Sequence, residues 1–476
     1  MTTAPTRAAK PVPTLWTVAI FAAAAAGAAA MLSAEAVVRG YSGAQDCTAG
    51  LALPIPVINC AAQGWWMVAA LWTMALLLGL CGWRLTRALA DSPESRRRFF
   101  GIQTALLVAL TFLPLTLSAD IYYYAAYARI FGVHGINPYV LSTPLSLASD
   151  PALKLSLAAL SNPPYADPYG PLWTLLAGLI GRLESGATLW LQLWTQRILA
   201  VGAALAATGG LWHILRRLSW RERCSRVGAF AFNPLVVYEA AVGAHNDVIM
   251  VALGIWAFAL VEEMPLYAGL LLGASISIKY ASLVALPFFF LKARHSGWLR
   301  AGLASLLALA VPLVCFVPFW SAAHVQSAAP GGGPPALAMS PMWTVEYRYY
   351  AAGLVEFVNP IRNGFLIVFA IIALVSIWEY VQRGRAGALW RTIAALIWTQ
   401  PAIHPWYVLW LSPAMAGGGA WATYAWWFAA LVFLRYPLET VAQNRFPLPL
   451  QVAFTCAFLL GPVLIARLRR AASEPA

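Results

Sequence analysis

Long apolar runs alternate with short polar breaks along the chain, and the charge in the breaks orients the runs. Apolar residues fill 15–33, 65–84, 99–118, 187–215, 299–320, 361–381 and 448–466. Most of these approach or exceed the ~20 residues a helix needs to cross a bilayer. Breaks rich in Arg and Lys fall at 84–98, 216–226, 292–300 and 383–391, with more at the N-terminus (Arg7, Lys10) and in the tail (Arg467, Arg469, Arg470). Short basic loops of this kind mark the cytoplasmic side. Parity then sends 15–33 out, 65–84 in and 99–118 out, and leaves 119–168 and 321–359 as two long external loops. No run shows the period of two of a membrane barrel strand. The pattern predicts an all-α, polytopic integral membrane protein with about 12–14 transmembrane helices. The run at 15–33 is read as a retained anchor: it is long, and its start is rich in proline rather than basic residues.

Other runs are too short to cross comfortably. Residues 171–183 are expected to re-enter or lie in the interface. Residues 227–241, 246–261, 265–279 and 280–292 are joined by the polar turns His245-Asn246-Asp247, Glu262-Glu263 and Lys279-Tyr280. Parity puts the first and third turns on the external side, where short helices ending below the surface would make a polar cavity. Irregular backbone at that depth is tolerated only where protein or water covers it. Short runs at 387–403, 406–417 and 420–435 follow.

Composition agrees with this picture. The 476 residues are 61% hydrophobic and 10% charged, with a mean hydropathy of +0.70. A net charge of +13 would suit nucleic acid, but the cytoplasmic loops hold most of it, so no nucleic-acid partner is needed. Six cysteines are scattered without metal-ligand spacing. Cys47 and Cys60 share an external loop, where they could form a disulfide or remain unpaired.

Ionisable residues at membrane depth or at its external face are functional candidates, and here they gather on one side. Asp120 stands where the run 99–118 ends, followed by Tyr122, Tyr123 and Tyr124. Helical spacing places Asp120, Tyr124, Tyr127 and Phe131 on one face, so a helix lying along the interface with its aromatics toward lipid is expected. Asp120 serves equally as a helix cap or as a general base. DPYGPLW (167–173), which contains Tyr169, reads as a fixed turn entering a helix. In FNPLVVYEAAVGAHNDVIM (232–250), Asn233-Pro234 breaks a span. Capping by Asn246 or Asp247 leaves Glu239 and His245 unexplained; a pocket for sugar hydroxyls would explain them. Lys279 either snorkels or meets an anion such as a phosphate. His404, beside Trp406 and Tyr407, is either an aromatic-belt residue at a kink or a donor to a phosphate or sugar. Arg129, Tyr347, Arg348 and Arg435 are external candidates, and Arg197, inside a span, needs a structural partner.

The ordered series DIYYYAAYARI, HGINPY, DPYGPLW, FNPLVVYEAAVGAHNDVIM, SIKYASLVALPF and HPWYVLW resembles integral-membrane glycosyltransferases of the GT-C class, which use polyprenyl-phosphate sugars. It is most similar to bacterial polyprenol-phosphate-mannose-dependent α-mannosyltransferases. The resemblance covers residues 99–412 and implies a GT-C-type helical bundle with interfacial helices in the first external loop. It divides the chain into an N-terminal two-span extension (1–98), a catalytic membrane core (99–412) and C-terminal spans with a basic tail (413–476). It implies Asp120 as catalytic base, and Lys279, His404 and Arg129 at the donor phosphate. Tyr124, Tyr169, Glu239, His245, Asn246, Asp247, Tyr280 and Trp406 would line the substrate cavity. Many relatives carry an acidic pair at the first position. Ser118 and Ala119 stand beside Asp120 here, so no metal site is expected, and no cofactor beyond the donor.

The implied reaction is inverting transfer of a sugar, mannose by resemblance, to a glycan or glycolipid hydroxyl, giving an α-linkage. The implied location is the bacterial inner membrane, with the site facing the periplasm or exterior and membrane lipids as partners. The same machinery would serve arabinofuranose or glucose. A lipid-sugar transporter is the rival of a different class, but it predicts paired repeats and a midplane site; no repeat is visible, and the polar residues gather at one face.

Overall fold

The computed structural model describes residues 65–91, 96–113, 118, 120–140, 149–158, 160, 166–320, 353–400 and 403–442, with isolated positions at 17, 19, 341, 342, 345, 349, 452–457, 460 and 461. Most of the first apolar run, Cys47, Cys60, Tyr347, Arg348 and most of the loop 321–359 lie outside them. The described residues are helical, without strands, and the protein is an all-α polytopic membrane protein.

Among the described residues, three helices are long and apolar enough to cross a membrane: α6 (Leu189–Ile214), α12 (Trp298–Phe316, continued by a 3-10 turn to Phe319) and α13 (Val358–Arg383). The preceding elements are α1 (Trp65–Ala90), α2 (Arg96–Leu110), α3 (Asp120–Gly132), α4 (Pro151–Ala158) and α5 (Pro171–Leu183). Between α6 and α12 come α7 (Trp220–Ala231), α8 (Pro234–Ala241), α9 (Asp247–Leu260), α10 (Pro265–Ile278) and α11 (Leu286–Ala293). After α13 come α14 (Gly387–Trp398), a 3-10 helix Pro405–Trp410 and α15 (Gly419–Ala442).

The breaks have local causes. Asn233 caps α8, its Oδ1 accepting from the Leu235 and Val236 N–H groups at 3.0 and 3.3 Å, with Pro234 at the first helical position where a missing N–H costs nothing. The helix therefore starts anew where the sequence predicts a broken span. Arg197 finds its partners at the end of α2, where its Nη1 donates to the carbonyls of Thr111 (2.6 Å) and Leu113 (2.8 Å). A cation there closes orphan carbonyls at a helix C-terminus.

The two ends of the bundle differ in chemistry. At one end Arg216 pairs with Glu263, Lys292 with Glu262 at 2.9 Å and Arg226 with Glu222 at 2.7 Å, all of them partly or largely exposed. At the other end Lys279 meets Asp247. These ends are joined by α9 and α10, which pack against each other with the end of α10 beside the start of α9 (Ser275 Oγ donates to the Met250 carbonyl) and have 14 residues each. That makes each about 21 Å long.

One sequence expectation is corrected. The tyrosine helix α3 does not turn its aromatics to lipid: Tyr122 and Tyr124 have no exposure and Tyr127 has 2%. The reason is a close seam with α5. A Cβ on Gly132 would lie 1.9 Å from the Gly178 carbonyl oxygen, and one on Gly181 would lie 2.3 Å from that of Ala128. Small residues let the two backbones approach, and the tyrosines fill the interior side.

Candidate active site

Six segments converge on one polar cluster. Asp120 opens α3, with its N–H donating to Ser118 Oγ at 3.2 Å, and the Ser118 hydroxyl also hydrogen-bonds the Asp120 carboxyl. Tyr169 donates its hydroxyl to Asp120 Oδ2 at 3.2 Å. Tyr169 is itself set by the DPYG turn: Asp167 Oδ1 accepts from its N–H at 2.9 Å, Asp167 Oδ2 accepts from Thr174 Oγ1 at 2.8 Å, and Tyr139 donates to the Tyr169 carbonyl at 2.8 Å. Tyr124 packs edge-on against both Tyr169 and Trp173, with centroids 4.9 Å apart in each pair.

The same turn reaches the other side of the cluster. Gly170 N–H donates to the Ile278 carbonyl at 3.0 Å, and Leu172 N–H donates to Ser277 Oγ at 3.2 Å. The next residue, Lys279, is held extended between α10 and the following 3-10 turn. Its Nζ lies 2.9 and 3.0 Å from the two oxygens of Asp247. Trp410 Nε1–H also donates to Asp247, at 2.5 Å. The ammonium lies 4.9 Å from the Tyr407 ring centroid and 5.6 Å from that of Trp410, within cation–π range.

Behind Asp120 is a third layer. His245 Nδ1 lies 3.7 Å from Asp120 Oδ2, and its Nε2 lies 3.2 Å from Glu239 Oε2. Trp406 is sandwiched between His245 and His404, with centroids 4.1 and 4.6 Å away and nearly parallel planes. The turn that folds His245 back over Glu239 passes through Ala244 at φ 52°, a left-handed conformation that costs a non-glycine residue about 1–3 kcal/mol.

Exposure sorts the acids. Glu239 and Asp247 side chains have none, whereas Asp120 keeps 20% and Lys279 keeps 16%. Burial pushes the Asp120 carboxyl up to about 6, against the pull of Lys279 and the Tyr169 hydroxyl. Burial likewise raises Asp167, to about 7, against its bonds from Tyr169 and Thr174. A partly open carboxylate tuned toward neutrality beside a partly open cation suits proton removal next to a developing anion.

Most of the residues singled out in the sequence are brought together: Asp120, Tyr124, Tyr169, Glu239, His245, Asn246, Asp247, Lys279, His404 and Trp406. Three readings change. Arg129 lies away from the Asp120–Lys279 cluster. It lies nine residues along α3 from Asp120, about 13 Å away along the helix, and its Nε is bound to Asp150 at 2.7 Å with Nη2 on the Ser185 carbonyl. His134 joins the same carboxylate at 2.8 Å. Burial would raise Asp150, but Arg129, the Leu153 N–H and His134 outweigh it and hold the carboxyl below its ordinary value. Glu239 and His245 do not face the cavity as sugar contacts, because both are fully buried behind Asp120. Asn246 does not cap α9 with its side chain, and Asp247 is taken by Lys279 and Trp410. Tyr280, 51% exposed, stands at the rim. Two participants were not singled out: Asp167, which sets Tyr169, and Trp410. The signal for Trp410 was its place three residues after Tyr407, the spacing that stacks the two rings at 4.5 Å.

A cavity of about 410 Å³ opens beyond Trp410. Its walls are almost wholly apolar. They run from Ala281, Ser282 and Trp410 past Val251, Ile255, Phe288 and Ile393 to Lys292 and Gly384.

The family described as "Alpha-(1->6)-mannopyranosyltransferase, N-terminal domain" matches residues 15–295. The chain belongs to this family. It is a membrane-embedded mannosyltransferase, and the match takes in Asp120, Tyr169, Glu239, the His245–Asp247 turn and Lys279. It begins before the residues that carry the resemblance in the sequence and ends short of His404. No curated protein and no solved structure matches the chain.

Proposed function

We propose that this mannosyltransferase takes mannose from a polyprenyl-phosphate donor and passes it to a glycan or glycolipid hydroxyl at the external membrane face, by one inverting displacement with Asp120 as base. The observation that carries the reading is the contrast within the cluster. Asp120 is the carboxylate that keeps exposure, and it lies beside Tyr169 and in the field of Lys279. The acceptor oxygen bonds to the anomeric carbon as its proton passes to the Asp120 carboxylate. The bond from that carbon to the phosphate oxygen breaks, and its electron pair stays on the phosphate. The leaving monoester then faces the Lys279 ammonium, with His404 on the same wall. One displacement inverts the centre, so a β-linked donor gives an α-linked product.

The apolar cavity behind Trp410 supports a lipid-linked donor, since an isoprenoid tail suits walls of that chemistry. Helix length supports a recessed external site. At about 21 Å, α9 and α10 fall short of the ~30 Å hydrocarbon core. With Glu262 and Glu263 at the cytoplasmic surface, the Asp247–Lys279 end lies roughly 9 Å below the opposite one. The test is transfer by purified protein in liposomes, with labelled polyprenyl-phosphate-mannose, a simple α-mannoside and a chelator arm. Wild type should form an α-linked product and Asp120→Asn should not. Equal transfer by both would remove Asp120 from the mechanism.

A further inference from the structure

We propose that Glu239, held as a neutral acid, fixes the tautomer of His245 so that His245 Nδ1–H is aimed at Asp120, making both buried residues positioning groups for the base. This rests on the reading of Asp120 as base and adds two residues that touch no substrate.

The argument is one of donors and lone pairs. Asp120 lies 3.7 Å from His245 Nδ1 and Glu239 lies 3.2 Å from Nε2, each the carboxylate in ion-pair range of that ring nitrogen. A neutral imidazole carries one N–H and one lone pair. An ionised Asp120 only accepts, so the N–H belongs on Nδ1. The Nε2 lone pair then needs a donor, and Glu239 supplies one only with a proton on its carboxyl. The surroundings of Glu239 favour that form. It is fully buried, and among the described residues the one ion-pair-range contact it makes is with His245. An ionised carboxylate there would be desolvated without a Lys or Arg to offset the cost. Placing the same proton on Nε2 would instead bury an imidazolium and a carboxylate. Neither contact, at 3.2 and 3.7 Å, has the geometry of a formed hydrogen bond, as expected of a site that tightens when it is occupied.

The turn is built for this contact. His245 N–H donates to the Glu239 carbonyl at 3.1 Å, Trp406 holds the ring by stacking, and Ala244 takes the strained φ. A Cβ on Gly243 would lie 2.6 Å from Glu239 Oε2 and 2.9 Å from His245 Cδ2, so a side chain at 243 would displace one of the two groups in contact.

The test compares Glu239→Leu with Glu239→Gln. Leucine gives Nε2 no donor, which frees the ring to place its lone pair against Asp120. Transfer should fall roughly ten- to a hundredfold, and the acid limb of the kcat/KM profile should rise by about one pH unit. The charged or titratable groups facing Glu239, His245 and Asp120 are Asp247, Lys279, His404, Tyr123, Tyr124, Tyr169 and Tyr436, and none of them is altered. Glutamine keeps an N–H donor for Nε2, so Glu239→Gln should restore most of the lost activity and the wild-type acid limb. A glutamine variant as impaired as the leucine variant overturns the proposal. An infrared difference spectrum at pH 7, wild type minus Glu239→Gln, needs no turnover. It should contain the carbonyl stretch of a neutral carboxylic acid, and its absence overturns the proposal even if no donor is accepted. Wild type without transfer would instead count against the reading of Asp120, with the spectrum still deciding the charge state of Glu239.

Discussion

Gly170→Ala tests whether one turn sets the spacing of the site. Gly170 has φ −75° and ψ 156°, which any residue adopts, so the backbone conformation does not require glycine. The requirement is contact. A Cβ at 170 would lie 2.2 Å from the Ser277 carbonyl oxygen and 2.7 Å from its carbon, both backbone atoms. Ordinary contact begins at 3.4 Å, so the DPYG turn and the 277–278 segment must separate by about 1.2 Å. Their hydrogen bond from Gly170 N–H to Ile278 is lost or stretched. One side of the seam carries Tyr169, which holds Asp120, and the other continues into Lys279. The separation therefore appears directly in the distance from base to cation. A misplacement of about 1 Å in a reacting constellation costs on the order of a hundredfold in rate, while overpacking of this kind costs about 1–3 kcal/mol of stability. The assay is mannosyl transfer at saturating donor, with thermal unfolding of the same preparation. Gly101→Ala and Gly202→Ala are the controls, since nothing lies within 4 Å of a Cβ at either position and alanine favours a helix by up to about 1 kcal/mol. Gly170→Ala should lose roughly a hundredfold in kcat while the controls stay within about twofold. Wild-type kcat in Gly170→Ala would refute the claim that this seam fixes the site.

Asp120→Asn should lower transfer by about 10²–10⁴, and wild-type kcat/KM should fall as the pH drops below about 6, where burial has set its carboxyl; a rate independent of pH between 5 and 7 would refute this. Tyr169→Phe removes a hydroxyl that favours the ionised base, so the acid limb should move up by about one pH unit in a pH–rate profile. Asp167 is raised by burial to about 7 from 3.8, so the stability it contributes is complete below pH 3.8 and is lost as pH rises through about 7. Thermal unfolding scans should show wild type losing more stability than Asp167→Asn over that rise. Arg129→Ala leaves Asp150 buried with His134 and the Leu153 N–H but no permanent cation beside it, and should cost about 3–5 kcal/mol of stability without moving the acid limb of whatever enzyme remains folded.

The sequence made the architecture readable where the cause was local. Asn233-Pro234 announced a helix start, and the structure shows the cap that makes it one. The basic loops grouped Arg216 with Lys292, and both meet the Glu262-Glu263 turn at one end of the bundle. Convergence of the acidic, histidine and lysine turns was legible too, because short helices fix which end each turn occupies. Direction was not legible. Periodicity put Asp120 and Tyr124 on one face but could not say that the face turns inward, since that depends on Gly132, Gly178 and Gly181 sharing a seam across the gap from α3 to α5. Charge alone made Arg129 look like a phosphate ligand; its partner, Asp150, lies 21 residues away, beyond the reach of helical spacing.

The misplacement of Glu239 and His245 has a different origin, and it bears on how such a site works. Polar residues between apolar runs suggest a polar cavity, and the simplest occupant of a polar cavity is substrate. The structure sets them instead in a layer behind Asp120, one with no exposure. A base recessed in a membrane protein has little bulk water to hold its charge, so neighbouring side chains must supply the hydration that water would give. Tyr169 supplies one donor from the front, and His245 offers a second from behind. On this view the buried polar residues replace solvent around Asp120, and the exposed ones, Asp120 and Lys279, are left to meet the acceptor hydroxyl and the phosphate. Substituting Tyr169 and His245 together should then raise the acid limb further than either change alone, because each removes a donor from beside the same carboxylate oxygen, Asp120 Oδ2.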